Sequence, residues 1–197
     1  MDLLRFSIFM SMKWLVYSLF LVLLYSCIDF DRSKHTKEID ASIEQLKQSN
    51  FDLNAPLLDS IPLVLSQINR LNERIRSNIK QDTLSLETAL KIDEYKNLEA
   101  EIIQLKEQIP ITKKDINTVI SDLKNLKKDI SSNSGDRANY SANLALEQEN
   151  KTILVDAAQR HSTTFSNTLI RFHSIHSALS DYSIQLELKN KEQNLIP

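Results

Sequence analysis

The segment from Tyr95 to Ile130 reads YKNLEAEIIQLKEQIPITKKDINTVISDLKNLKKDI. Its apolar residues recur at intervals of three and four positions, at Tyr95, Leu98, Ile102, Leu105, Ile109, Ile116, Val119, Leu123, Leu126 and Ile130. The polar residue Thr112 occupies the one position of this series that lacks an apolar side chain. A sustained heptad spacing with charged flanks is typical of helices that pack along one seam. The segment therefore predicts a long α-helix in an all-α fold.

Pro110 lies inside this heptad series. An interior proline costs about 3 kcal/mol or more and kinks a helix, whereas Thr112 and Asp115 have the spacing of a capping box that could start a new helix. Because the apolar series keeps its phase across Pro110, we favour one kinked helix over residues 84–131. The alternative is a reversal at Pro110, which would give a shorter bundle of four or five helices.

Three other segments have helical periodicity. Residues 34–49 carry Ile39, Ile43 and Leu46 on one stripe. Residues 58–80 form a second helical segment, which Asp59 or Ser60 can cap. Pro62 is tolerated there because the first turn of a helix does not need its N–H group. Residues 137–191 contain no proline or glycine. Their apolar stripe comprises Tyr140, Leu144, Leu154, Ala158, Phe165, Phe172, Ile175, Leu179, Tyr182 and Leu186.

The turn between the two longest segments is predicted at Ser131–Asp136, around Gly135, the only glycine. Helices with narrow apolar stripes must pair to be stable. The sequence therefore predicts one helical domain over residues 34–192, an elongated antiparallel bundle. In this bundle the two longest helices form a coiled-coil hairpin, and the two shorter helices lie along it.

The composition excludes several classes of protein. One glycine and four prolines among 197 residues argue against a many-stranded β fold and against glycine-rich phosphate loops. A net charge of −2 gives no basic field for nucleic acid. With a single cysteine, the chain can form no internal disulfide and no cysteine-rich metal site. Packing alone must therefore hold the helices together.

The single cysteine, Cys27, closes an apolar run that begins at Trp14 and follows Lys13. The sequence Leu24-Tyr25-Ser26-Cys27 resembles the lipobox of bacterial lipoproteins, although Tyr25 is bulkier than the usual occupant. This resemblance covers residues 1–27 and indicates a processing class. It implies that residues 1–26 are a cleaved signal peptide and that Cys27 is the lipid attachment site. Residues 27–33 would then form the anchor and its tether.

Two other interpretations of the N-terminal segment remain open. The run from Trp14 to Ile28 is 15 residues long, short of the roughly 20 that a membrane-spanning helix needs, but it could be extended into an uncleaved anchor. The segment could also be an ordinary signal of a secreted protein. Under the lipoprotein interpretation, Ile28 is not the aspartate that retains lipoproteins at the inner membrane. We therefore expect the outer membrane, at its periplasmic face or at the cell surface.

The sequence offers few candidates for chemistry. His173 and His176 lie within one helical turn, but no HExxH motif accompanies them or the other histidines, His35 and His161. The carboxylates Glu99, Glu101, Asp115 and Asp122 alternate with lysines and are expected on solvated faces, as are Lys124, Lys127 and Lys128. The aromatic residues at heptad spacing are expected in the core. We predict no catalytic residue, metal site or cofactor.

These expectations together predict a non-enzymatic, lipid-anchored protein of the bacterial cell envelope. Its helical bundle would contact a protein partner or a second copy of the chain. Neither nucleic acid nor a small-molecule substrate is expected to bind. The alternative function is that of a binding module, either a holdase-like chaperone or a receptor with an apolar groove.

Overall fold

The computed structural model describes residues 32–54, 56–79, 84–134 and 137–193. These residues form α-helices and no strand. The helices are α1 over residues 32–52, α2 over Pro56–Asp59, α3 over Ile61–Asn78, α4 over Leu86–Ser132 and α5 over Arg137–Gln193. The helices pack against each other, and the predicted all-α helical bundle is confirmed. No helix in the described ranges is both long and apolar enough to cross a membrane.

Helix α4 is a single helix with Pro110 inside it, so the chain does not reverse at this proline. The Pro110 side chain is exposed. Its missing N–H therefore leaves the Lys106 carbonyl without a helical partner on a face that water reaches, where the loss is least costly. Every position of the predicted heptad series in α4 is buried, including Thr112.

The predicted second helix is divided into α2 and α3 at Ser60. In an uninterrupted helix the N–H of residue 62 would bond the Leu58 carbonyl, and Pro62 has none. The helical bonding of α3 starts afresh with Val64 N–H donating to the Ser60 carbonyl at 3.0 Å. Ser60 is the N-cap residue, as the sequence allowed, but its side chain makes no capping hydrogen bond.

The two ends of α4 have different capping signals. Ser85 caps its N-terminus, because its Oγ accepts a hydrogen bond from the Thr88 N–H at 3.1 Å. At the other end of α4, Asn133 adopts a left-handed φ of 59°, and Ser134 N–H donates to the Asp129 carbonyl at 3.1 Å. This pairing is a Schellman C-cap. The helix therefore ends at Ser132, just before Asn133, while the predicted turn residue Gly135 lies outside the described residues.

The chain packs as two compact units. Unit 1 comprises residues 1–45 and 119–150, of which 1–31 and 135–136 lie outside the described ranges. Unit 2 comprises residues 46–118 and 151–197, less 55, 80–83 and 194–197. Within unit 2, α4 and α5 are antiparallel, since Tyr95, Glu101 and Thr112 contact His176, Thr168 and His161 in turn.

Candidate functional site

A polar and aromatic cluster lies between α4 and α5 in unit 2. Tyr95 has no exposed surface, and its hydroxyl is hydrogen-bonded to His176 Nδ1. The ring of Phe172, one turn earlier on α5, is stacked with Tyr95 at a centroid distance of 6.1 Å and lies 4.8 Å from the ring of His176. Because Tyr95 is completely covered, its hydroxyl cannot reach a substrate. The cluster therefore joins two helices.

Burial fixes the protonation states of this cluster. Burial, together with the nearby Glu99 carboxylate, raises the pKa of the Tyr95 hydroxyl, which stays protonated. Burial also lowers the pKa of His176, and the neighbouring His173 lowers it further. His176 is therefore neutral near pH 7, and its Nδ1 can accept a hydrogen bond from the Tyr95 hydroxyl.

A second polar pair occupies the same interface further along α4. Thr112 Oγ1 lies 3.1 Å from His161 Nε2. Thr112 is buried and His161 is half-buried. Burial lowers the pKa of His161, and the adjacent Arg160 adds to this effect. The polar position in the heptad series of α4 thus faces a polar side chain on α5, which satisfies both groups.

Charged groups flank the interface between these two pairs. Arg171 donates from Nη1 to both oxygens of Glu101 at 3.1 Å and from Nε to Glu94 at 3.3 Å. Glu101 also accepts a hydrogen bond from Thr168 Oγ1 at 3.0 Å. The two glutamates are seven residues apart, so they occupy the same heptad position beside the seam, where ion pairs select the partner helix. The bond from Arg171 to Glu101 raises the pKa of the guanidinium.

The other histidines take no part in these pairs. His173 is exposed, with its ring edge-on to Phe172 at 5.3 Å. His35 lies in unit 1, where its Nδ1 is 3.4 Å from a Glu38 carboxylate oxygen. Across the described ranges, no group of three or more histidine, cysteine, aspartate or glutamate side chains could hold a metal ion.

The charged residues expected on solvated faces divide into two groups. Asp115, Asp122, Lys124 and Lys128 are exposed. The remaining three, Glu99, Glu101 and Lys127, are half-buried and bonded to other helices. Lys127, for example, donates to Asp40 of α1 at 2.6 Å. These three side chains therefore connect helices, a role that the alternation of charges did not reveal.

The aromatic stripe of α5 is mostly core. Phe165 and Phe172 are fully buried, and Tyr182 is half-buried. Tyr140 is also half-buried, and its hydroxyl donates to the carbonyls of Asp129 and Ser134 near the α4 C-cap. Two polar residues of the stripe, Thr168 and Ser183, are also buried, and the apolar pattern did not predict their burial. Extending the heptad spacing by three residues from Phe165 would have found Thr168.

The predicted lipid attachment site, Cys27, lies outside the described residues, as do the signal peptide and residues 27–31 of the tether. No family model matches the chain, and no curated protein or solved structure is significantly similar to it. Function must therefore be argued from the chain itself. Among the described residues, the hydrogen-bonded pairs Tyr95–His176 and Thr112–His161 join α4 to α5.

Proposed function

We propose that this chain is a lipid-anchored protein of the bacterial cell envelope whose helical bundle is a structural or protein-interaction element without catalytic activity. One observation carries the proposal, the sequence Leu24-Tyr25-Ser26-Cys27 at the end of an apolar run. Lipid on Cys27 would tether the bundle, because each buried CH₂ contributes about 0.8 kcal/mol and several acyl chains bind a membrane stably. Ile28 supports placement in the outer membrane.

The described helices supply side chains for contact with a protein partner or a second copy. Leu63, Leu86 and Ile170 are 61%, 77% and 71% exposed. Apolar side chains of this size gain roughly 1.5–3 kcal/mol when fully buried. The fully covered Tyr95 is hydrogen-bonded to His176 on another helix, which supports a structural role for Tyr95 itself.

Fatty-acid labelling tests the anchor. The full chain and its Cys27→Ser variant are expressed in a bacterium fed an alkyne analogue of palmitate, and the mature N-terminus is determined by mass spectrometry. We expect label on the wild type only and a mature chain that begins with acylated Cys27. Equal labelling of the two chains, or an uncleaved N-terminus, would reject the proposal. Density-gradient separation of the membranes then tests the outer-membrane placement.

A second candidate function, a binding module for an apolar ligand, is favoured by a groove of about 590 Å³ lined by α3, α4 and the residues before α4. Ile75, Ile79, Leu84 and Ile92 form its apolar lining. Ligand pockets span roughly 300–1,000 Å³ and are predominantly apolar with a few polar groups. The polar lining includes Arg76 and Lys96, which could bind an acidic head group, together with the carboxylates of Glu73 and Glu99.

Co-purification separates the two functions. The full chain is extracted from bacterial membranes, and the small molecules bound to it are identified by mass spectrometry. For a binding module, an apolar acid should accompany the wild type and be lost from Ile92→Lys. The matched control is Ile103→Lys, on the same helix at a position that is 42% exposed and does not line the groove. Identical bound molecules in all three proteins would exclude this function.

A further inference from the structure

A small surface cavity in unit 2 is lined by hydrogen-bond donors from two helices. Its volume is about 150 Å³. The lining residues are Gln67, Arg70, Leu71 and Arg74 of α3 and His176 and Ser180 of α5. Five of these six side chains carry N–H or O–H groups, and none is a carboxylate. The cavity therefore has the chemistry of an anion site.

Three of the donors have no other role among the described residues. The side chains of Gln67, Arg70 and Ser180 make no hydrogen bond or ion pair with any other part of the described chain. Arg70 is exposed, and the positive charge of its guanidinium has no carboxylate partner among the described residues. The donors of these three side chains are open to water, and a ligand that accepts hydrogen bonds from all three could replace that water.

The carboxylate of Glu187 lies close to this cavity and is already paired with Arg74. Arg74 Nη2 donates to Glu187 Oε2 at 3.0 Å, and Arg74 Nε pairs with the other oxygen of the same carboxylate. This hydrogen-bonded pair lowers the pKa of Glu187 and raises that of Arg74, so both remain charged. Glu187 therefore neutralises Arg74 but leaves the charge of Arg70 uncompensated.

His176 can contribute a neutral donor. Its Nδ1 is hydrogen-bonded to the Tyr95 hydroxyl, and in the tautomer whose Nδ1 accepts that hydrogen bond the ring hydrogen lies on Nε2, which is then a donor. The charged groups around this ring are Arg70 and Arg74 of α3, while His173 is its neighbour on α5.

We propose that this cavity binds a phosphate group, with Arg70 as the principal ligand and Gln67, Ser180 and His176 as neutral donors. A tetrahedral oxyanion offers acceptors in several directions at once, which matches donors that converge from two helices. A cavity of about 150 Å³ suits a group of five non-hydrogen atoms, since pockets for larger ligands measure roughly 300–1,000 Å³. The phosphate is either the free ion or the head group of a phosphomonoester lipid.

Titration of the full chain in dodecyl maltoside micelles tests this proposal. Inorganic phosphate is added in one arm and dioctanoyl phosphatidic acid in the other, with ionic strength held constant, and binding is measured by calorimetry. We expect Arg70→Gln to weaken binding about tenfold or more, the effect of one lost charged hydrogen bond. Ser180→Ala should weaken it about fivefold. Both residues lie on the surface or half-buried, so the fold should be retained.

The matched control is Arg160→Gln, which removes the same charge from an exposed position on α5 outside this cavity and outside the larger groove. Saturable binding of inorganic phosphate identifies the free ion, whereas saturation by phosphatidic acid alone identifies the lipid head group. Dioctanoyl phosphatidylcholine, a phosphodiester, should bind more weakly than phosphatidic acid. The proposal is overturned if neither phosphate probe saturates, or if Arg70→Gln and Arg160→Gln bind equally well.

Discussion

Helices α4 and α5 contribute residues to both compact units, yet the buried residues of the two units differ. In the described part of unit 1 the buried side chains are aliphatic except for Ser42, whose hydroxyl bonds the Glu38 carbonyl within its own helix. Unit 2 buries three aromatic rings, Tyr95, Phe165 and Phe172. It also pairs polar side chains of α4 with polar side chains of α5.

This difference indicates what sets the alignment of α4 against α5 in unit 2. An aliphatic seam gains free energy on burial but accepts several heptad registers, because one aliphatic contact resembles the next. A shift of one heptad between α4 and α5 would separate Thr112 from His161 and Tyr95 from His176. Each separation would leave a polar group without its partner, at a cost of about 1–3 kcal/mol. We infer that the polar pairs specify register in unit 2.

The largest effect is expected from the aromatic core of unit 2. Phe165→Ala should lower the free energy of unfolding by about 3–5 kcal/mol, because a fully buried ring is replaced by a cavity. Urea denaturation of the full chain followed by circular dichroism measures this change. Ile170→Ala is the control on the same helix, and at 71% exposure it should change stability by less than about 0.5 kcal/mol. Similar losses in the two variants would contradict the assigned core.

The contrast between the units also shows what the sequence could predict. The heptad series of α4 is local information, so every position of the predicted series from Tyr95 to Ile130 is buried, including Thr112, although the series omitted the buried Ile120. The partner of Thr112 depends on how α5 is aligned, and no local pattern contains that alignment. The turn was predicted at Ser131–Asp136 around Gly135, and within that range it is Asn133 that adopts the left-handed conformation and ends α4.

The second prediction concerns the polar pair Thr112–His161 of unit 2, which is replaced by aliphatic side chains like those buried in unit 1. Thr112→Val removes the hydrogen bond to His161 and should cost about 1–3 kcal/mol, because the half-buried imidazole loses its partner. The double variant Thr112→Val/His161→Leu should recover most of that loss, since replacing both partners by apolar groups is nearly neutral. Urea denaturation gives both values. Additive losses in the double variant would show that the two side chains act independently.

The smallest expected effect is a loss of stability at acidic pH. It arises from two histidines of unit 2, His161 and His176. Burial lowers the pKa of His161 and His176 in the folded chain, so the unfolded chain binds protons first as the pH falls through about 6.5. Stability contributed by the neutral histidines is therefore complete above about pH 6.5 and decreases on acidification. The loss ends below the lowered pKa of the folded state.

The size of this loss is bounded at about 1.4 kcal/mol per pH unit for each histidine. Urea denaturation between about pH 5.5 and 7 measures it, a window that lies more than one unit above the ordinary carboxyl pKa of about 4. The double variant His161→Leu/His176→Phe should have a flatter profile than the wild type. The exposed residue His173 supplies the control, because His173→Gln should keep most of the slope. An unchanged slope in the double variant would mean that the acid sensitivity arises elsewhere in the chain.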